Sequence, residues 1–79
     1  MNIAEQQLAA FIRELIKQVD EGRKPTAYGV AAAVGIEIEE SRALIAGFAA
    51  KDYLAGLGTK AGAVVRVTSV SAELRNLSS

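Results

Sequence analysis

The side chains of this chain that are best suited to take part in a reaction are three neighbouring carboxylates, Glu37, Glu39 and Glu40. Paired carboxylates can act as acid and base or hold a metal, but catalysis needs two of them facing one substrate with separated pKa values. The chain contains no His and no Cys, which excludes Ser–His and Cys–His nucleophiles and thiolate zinc sites. We therefore expect no enzyme activity, no metal and no cofactor, and we interpret the glutamates as solvated charges at a helix start.

The basic residues are candidate contacts for an anionic partner, although the chain as a whole is electrically balanced. Nine basic residues oppose nine acidic ones, so net charge alone indicates neither nucleic acid nor a membrane. Locally the charges separate. Thr26 to Leu54 holds two basic and four acidic residues, whereas the chain from Ala55 onward holds three basic and one acidic. The C-terminal part is expected to form the more basic surface.

Length and hydropathy predict one small domain covering residues 1–79. A chain of this size buries only about 60% of the surface that its unfolded form exposes. No apolar run approaches the roughly 20 residues needed to cross a bilayer, and the N-terminus lacks the basic-then-apolar pattern of a signal peptide. We expect a cytoplasmic protein without a membrane partner.

Apolar residues spaced three and four apart predict an amphipathic helix over residues 3–21, which Gly22 brings to an end. A second helix is predicted over residues 26–34, because Thr26 can cap its start and Gly35 can end it. A third helix is predicted over residues 37–53, and its first residue is left open between Glu37 and Ile38. The apolar stripe of the first helix comprises Leu8, Phe11, Ile12, Leu15, Ile16 and Val19. That of the third helix comprises Leu44, Ile45, Phe48 and Ala49.

After the third helix the pattern becomes that of a β-hairpin over residues 54–70. Period-two alternation predicts a strand from Val64 to Val70, paired with a short strand from Leu54 to Leu57. A glycine-bounded turn, Gly58 to Gly62, connects them. The tail, residues 71–79, adds a helical turn. The predicted fold class is mainly α with a small β-hairpin, in the order helix–helix–helix–hairpin.

A set of positions between Thr26 and Val70 follows a recognisable pattern. It comprises the capping Thr26, Ala31 four residues before the turn glycine Gly35, the apolar Ile36, the inner residues Leu44, Ile45 and Phe48, the run Lys51-Asp52-Tyr53-Leu54 and the strand VVRVTS. This pattern resembles the winged helix-turn-helix domains of bacterial and phage transcription regulators. The resemblance implies a three-helix winged helix-turn-helix fold, helix–helix–helix–wing.

Two positions depart from the pattern of that family. The sixth residue after the turn glycine is usually apolar and buried, and here it is Ser41. The first turn of the recognition helix usually offers Ser, Thr, Arg or Gln to DNA, and here it offers Ile38, Glu39 and Glu40. The pattern therefore indicates the fold more strongly than the function, since a fold hosts many functions.

The resemblance implies that the outer face of the third helix enters the major groove of DNA. On that face Arg42 can contact guanine through two hydrogen bonds, and Glu39 can accept one from a cytosine amino group. The competing interpretation is that both are solvated, with Arg42 paired to Glu39. The nucleic-acid-binding residues predicted from the helix face and from the surrounding cations are Arg23, Lys24, Glu39, Arg42, Ala43, Ala46, Lys60 and Arg66.

Two function classes follow from this reading. The first is a DNA-binding transcriptional regulator or architectural factor whose partner is double-stranded DNA. A homodimer through the first helix would add contacts to its few cations. The alternative is a protein-interaction module, an adaptor or inhibitor, whose partner docks on the Ile38–Ala46 face.

Overall fold

A computed structural model of the chain describes residues 4–60 and 63–77. Its elements, in chain order, are α1 (Glu5–Asp20), α2 (Ala27–Val34), α3 (Ile38–Ala50), β1 (Leu54–Lys60), β2 (Ala63–Val70) and α4 (Ala72–Leu77). The predicted class is confirmed: the fold is mainly α, with three helices followed by a two-stranded antiparallel hairpin in the helix–helix–helix–wing layout.

The first two helices end at the glycines that the sequence indicates. Gly22 adopts a φ of 81°, and its N–H donates to the carbonyl of Val19 at 3.0 Å, which closes α1 one residue earlier than predicted. The predicted start at Ile3 lies outside the described residues. Thr26 is the N-cap of α2 rather than its first residue, and its Oγ1 accepts from the N–H of Gly29 at 3.1 Å. Gly35 closes α2 with a φ of 74°.

The third helix ends three residues before the predicted Tyr53. Asp52 adopts a left-handed φ of 60°, a conformation that Asp tolerates better than most residues. Its N–H donates to Ala49 at 3.0 Å and that of Tyr53 donates to Phe48 at 2.8 Å, the paired bonds of a Schellman motif. The Phe48 and Tyr53 rings pack with centroids 6.4 Å apart. The predicted end of α3 is wrong because the left-handed residue that ends this helix is an aspartate, whereas the sequence pattern indicates helix ends by glycine.

The hairpin strands are longer than predicted. Leu54 pairs with Val70 and Lys60 with Ala63, with an irregularity between Ala55 and Gly56. The predicted turn from Gly58 to Gly62 is therefore wrong in its first half, because ladder pairing extends to Lys60; positions 61–62 lie outside the described residues. The predicted helical turn of the tail is confirmed as α4.

The hydrophobic core lies between the four helices and the inner face of the hairpin. Its fully or almost fully buried members are Phe11, Ile12, Leu15, Val30, Ile45, Leu54, Val67 and Leu74. α4 closes this core through Leu74 and is tied to α1 by a bidentate ion pair, in which Arg75 donates to Asp20 at 2.7 and 3.0 Å. The hydrogen bonds from Arg75 hold the pKa of Asp20 below its ordinary value of 3.8. In the part of the chain described, no helix has both the length and the apolar character needed to span a bilayer.

Candidate nucleic-acid interface

The angle between α2 and α3 is supported by a buried polar contact at Ser41. This side chain is completely buried, and its Oγ donates to the carbonyl oxygen of Ala27 at 2.7 Å. A serine in an apolar setting is tolerated only when its hydroxyl is hydrogen-bonded. Ser41 therefore fills the inner position where the family pattern has an apolar residue, and it joins α2 to α3 by a hydrogen bond.

The outer face of α3 combines small residues with few charges. Glu39, Arg42 and Ala43 are exposed, whereas Ile38 and Ala46 are half-buried. Among residues 4–60 and 63–77 the ion pairs join Arg23 to Glu21 and Arg75 to Asp20, so the predicted pairing of Arg42 with Glu39 is wrong. The Arg42 guanidinium is directed to solvent instead.

The start of α3 is acidic, as the sequence indicates. Glu37 occupies the N-cap position without making a side-chain capping bond, and Glu39 and Glu40 lie in the first turn. Negative charges there favour the positive end of the helix dipole. The same charges repel phosphate, so this end of α3 is the least favourable part of the surface for DNA.

Basic residues from two segments lie where the hairpin meets the chain before α2. The N–H of Val67 donates to the carbonyl of Pro25 at 2.8 Å, and Thr26 forms an isolated antiparallel bridge with Arg66. Arg66 Nη1 reaches the carbonyl of Lys24 at 3.4 Å, a long and weak hydrogen bond. We call Arg23 to Thr26 together with Arg66 the wing root.

The wing root unites predicted site residues from two distant parts of the sequence. Lys24 and Arg66 are 42 residues apart in sequence and both are exposed. Arg23 is also exposed but lies 3.7 Å from a carboxylate oxygen of Glu21, which offsets part of its charge. Lys60 is the last residue of β1, and its side chain lies outside the part of the structure that is described.

Large apolar side chains are also exposed in the described part of the chain. Tyr28 is 75% exposed on the first turn of α2, Leu57 is 54% exposed on β1, and Leu77 is 57% exposed on α4. Tyr28 falls outside the α2 stripe of Ala27, Val30, Ala31 and Val34, a signal that was available in the sequence. The exposure of Leu57 follows only once it is known which face of β1 is buried, the face that carries Leu54.

A shallow groove of about 430 Å³ lies beside the start of α1. Its apolar lining comes from three helices, and two polar residues of α1 stand at its side. The lining comprises Leu8, Ala9, Ile12, Phe48 and Leu77, with Glu5 and Gln6. Part of the predicted dimer stripe of α1 is thus exposed here, whereas Phe11 and Leu15 are completely buried.

Comparison with known proteins gives no match: no protein-family model, no curated protein and no solved structure resembles the chain closely enough to be counted. Within residues 4–60 and 63–77 no cluster of His, Cys, Asp or Glu is suited to hold a metal ion. The class that the fold defines is a small helix–helix–helix–wing domain, whose function must be inferred from its own surface.

Proposed function

We propose that this chain is a small winged-helix protein that binds double-stranded DNA, as a cytoplasmic transcriptional regulator or architectural factor. The observation that carries the proposal is the wing root, where Arg66 Nη1 lies 3.4 Å from the backbone carbonyl of Lys24, 42 residues away in sequence, and both residues are exposed. Exposed cations gathered at one place bind phosphates and release counterions. The interface is therefore centred on the wing root, with α3 beside it.

The acidic start of α3 weakens this binding, and the phosphate contacts make it dependent on salt. Three to four phosphate contacts would lower the affinity roughly 40- to 150-fold between 50 and 200 mM salt. On α3, Arg42 can read a base through the two acceptors of guanine, and Glu39 can accept a hydrogen bond from a cytosine amino group. Sequence preference is expected to be low, because Ala43 and Ala46 carry no polar group.

A homodimer through α1 would double the number of phosphate contacts. The groove lined by Leu8, Ala9 and Leu77 leaves apolar surface of α1 and α4 open to a second copy. Sedimentation at micromolar concentration with Leu8→Glu as the variant tests this arrangement. If α1 forms the interface, the wild type should sediment as a dimer and the variant as a monomer. An equal mass for the two proteins would contradict this arrangement.

The proposal is tested by fluorescence anisotropy with a mixed-sequence duplex at about 50 and 200 mM salt, the range in which phosphate contacts are evident. The double variant Lys24→Ala/Arg66→Ala should lose most of the affinity. The matched control is Arg13→Ala/Lys17→Ala, which removes two exposed cations from α1. Loss of binding in the wing-root variant alone supports the proposal, whereas equal behaviour of the two variants or no binding by the wild type overturns it.

A protein-interaction module is the second candidate, and the composition of the α3 outer face favours it. Ala43 and Gly47 are exposed and small, and Glu39 adds an acidic group, a surface suited to a basic or apolar protein. Failure of the wild type to bind duplex at low salt would make this role the better proposal. Substituting Ala43 with Glu would then show whether a partner docks on α3.

A further inference from the structure

The wing root continues into a row of side chains that crosses three segments of the chain. Arg66 is opposite Leu57 in the β1–β2 register and opposite Thr26 in the isolated bridge. Residues directly opposite in antiparallel pairs project from the same face, about 5 Å apart. Val67, the next residue along β2, is completely buried, so the row of Thr26, Arg66 and Leu57 lies on the face turned away from the core.

One large apolar side chain lies in this row, and a second adjoins it along the chain, on the first turn of α2. Leu57 is 54% exposed, and Tyr28, two residues beyond Thr26, is 75% exposed. The Tyr28 ring is not packed against any other described ring, and its hydroxyl has no hydrogen-bond partner in the described part of the chain. We call Tyr28, Thr26, Arg66 and Leu57 the wing strip.

The chemistry of the wing strip fits a ligand that alternates an anion with flat apolar groups. Single-stranded nucleic acid has this character, because its phosphates seek cations and its unpaired bases stack on aromatic rings. A duplex hides the faces of its bases inside the stack, so it can use Arg66 but not the ring of Tyr28. Continuity with Lys24 extends the phosphate track beyond the strip.

We propose that the wing strip binds single-stranded DNA, with phosphate at Arg66 and Lys24, a base stacked on Tyr28 and a neighbouring base against Leu57. This inference rests on the proposed function in one respect, that nucleic acid is the ligand. The inference goes beyond the proposed function because it assigns a second form of DNA as ligand and a residue that stacks on a base. The resemblance to helix-turn-helix domains implies neither.

The test compares a single-stranded oligothymidine of about 12 nucleotides, within the usual site sizes, with a blunt duplex of equal length. Tyr28→Ala should weaken single-strand binding roughly 5- to 150-fold, the range for loss of one stacked base. Tyr28→Phe keeps the ring and should retain the affinity. Duplex binding should change less than about twofold in either variant, since phosphate contacts persist. Thermal melting of both variants checks that the fold is intact.

The remaining outcomes separate this inference from the proposed function. Salt-dependent duplex binding without single-strand binding overturns the inference and leaves the proposed function standing. Equal losses on both DNA forms in Tyr28→Ala also overturn it, because Tyr28 would then be an ordinary backbone contact. Competition by polyglutamate as effective as that by oligothymidine would identify an acidic-peptide surface and overturn it as well. Absence of all DNA binding overturns both proposals.

Discussion

The outer face of α3 and the wing root differ in charge although both belong to one helix–helix–helix–wing frame. α3 begins with Glu37, Glu39 and Glu40, whereas the wing root presents Lys24 and Arg66. Buried residues determine the frame and exposed residues determine the charge, so the two can vary independently. A helix in the recognition position is therefore not by itself evidence that this helix reads DNA.

Reversing the charge of the wing root should have the largest effect on this contrast. In Lys24→Glu/Arg66→Glu we expect duplex affinity at about 50 mM salt to fall at least ~100-fold. The plot of log affinity against log salt should become less steep, with the magnitude of its slope smaller by about two. Anisotropy titrations over several salt concentrations measure both. Arg13→Glu/Lys17→Glu, the same change of charge on α1, is the control, and an equal loss in that variant would show that overall charge rather than the wing root drives binding.

The position of α3 itself can be tested at Ser41. Ser41→Leu introduces the type of residue that the family pattern has there, but the site is completely buried and already filled by a hydrogen-bonded hydroxyl. We expect the free energy of unfolding to fall by about 2 kcal/mol through overpacking, and Ser41→Ala to lose about 1 kcal/mol with the hydrogen bond. Urea denaturation measures both. A stabilised Ser41→Leu would contradict the contact with Ala27.

Removing carboxylates from α3 should make the two regions more alike. Glu37 and Glu39 are exposed, so Glu37→Gln/Glu39→Gln relieves repulsion of phosphate and should raise duplex affinity about fivefold at low salt. Glu5→Gln/Glu73→Gln removes two exposed carboxylates at the starts of other helices and serves as the control. Unchanged binding in the α3 variant would mean that α3 does not approach DNA.

The exposed glycine of α3 allows stability to be changed without a change in charge. A Cβ added at Gly47 meets nothing within 4 Å, so Gly47→Ala should raise the free energy of unfolding by about 0.8 kcal/mol. Gly35→Ala is the contrasting variant, because a φ of 74° strains any residue with a Cβ. Thermal melts should move in opposite directions. If Gly47→Ala also weakens duplex binding, this part of α3 contacts DNA closely.

The paired cation Arg75 provides the smallest expected effect. The pKa of Asp20 is lowered in the folded protein, so the ion pair stabilises the fold above the ordinary value of 3.8, and this contribution disappears as pH falls through the lowered folded value. Asp20→Asn should melt slightly below the wild type at pH 7, and the difference should vanish in strong acid. A difference that persists there would show that the pair acts through packing.

Local signals in the sequence predict the helices and their order well. Thr26 and Gly35 mark the ends of α2, because a capping hydroxyl and a left-handed glycine act within a few residues. The end of α3 was missed, since it depends on Asp52 adopting a conformation that glycine usually supplies. The burial of Ser41 is likewise not predicted by its residue type. The carbonyl that accepts its hydrogen bond belongs to Ala27, which is on another helix.

The candidate site was predicted residue by residue but not as an arrangement. Lys24 and Arg66 were each named from their charge, and only the contact of β2 with the segment before α2 brings them together. The exposure of Leu57 follows from strand alternation, because Leu57 lies on the face of β1 opposite that of the buried Leu54. Contacts between distant segments have no signature in a single sequence.

The bridge between Thr26 and Arg66 also has a consequence for folding. It closes a loop that contains all of α2, α3 and β1, and the entropy of that loop must be lost before the bridge contributes anything. The helices can form from local contacts, whereas the wing root requires a non-local closure, so we expect the wing root to form after them. Fragments that contain α2 and α3 alone lack Arg66 and therefore cannot form this cationic surface.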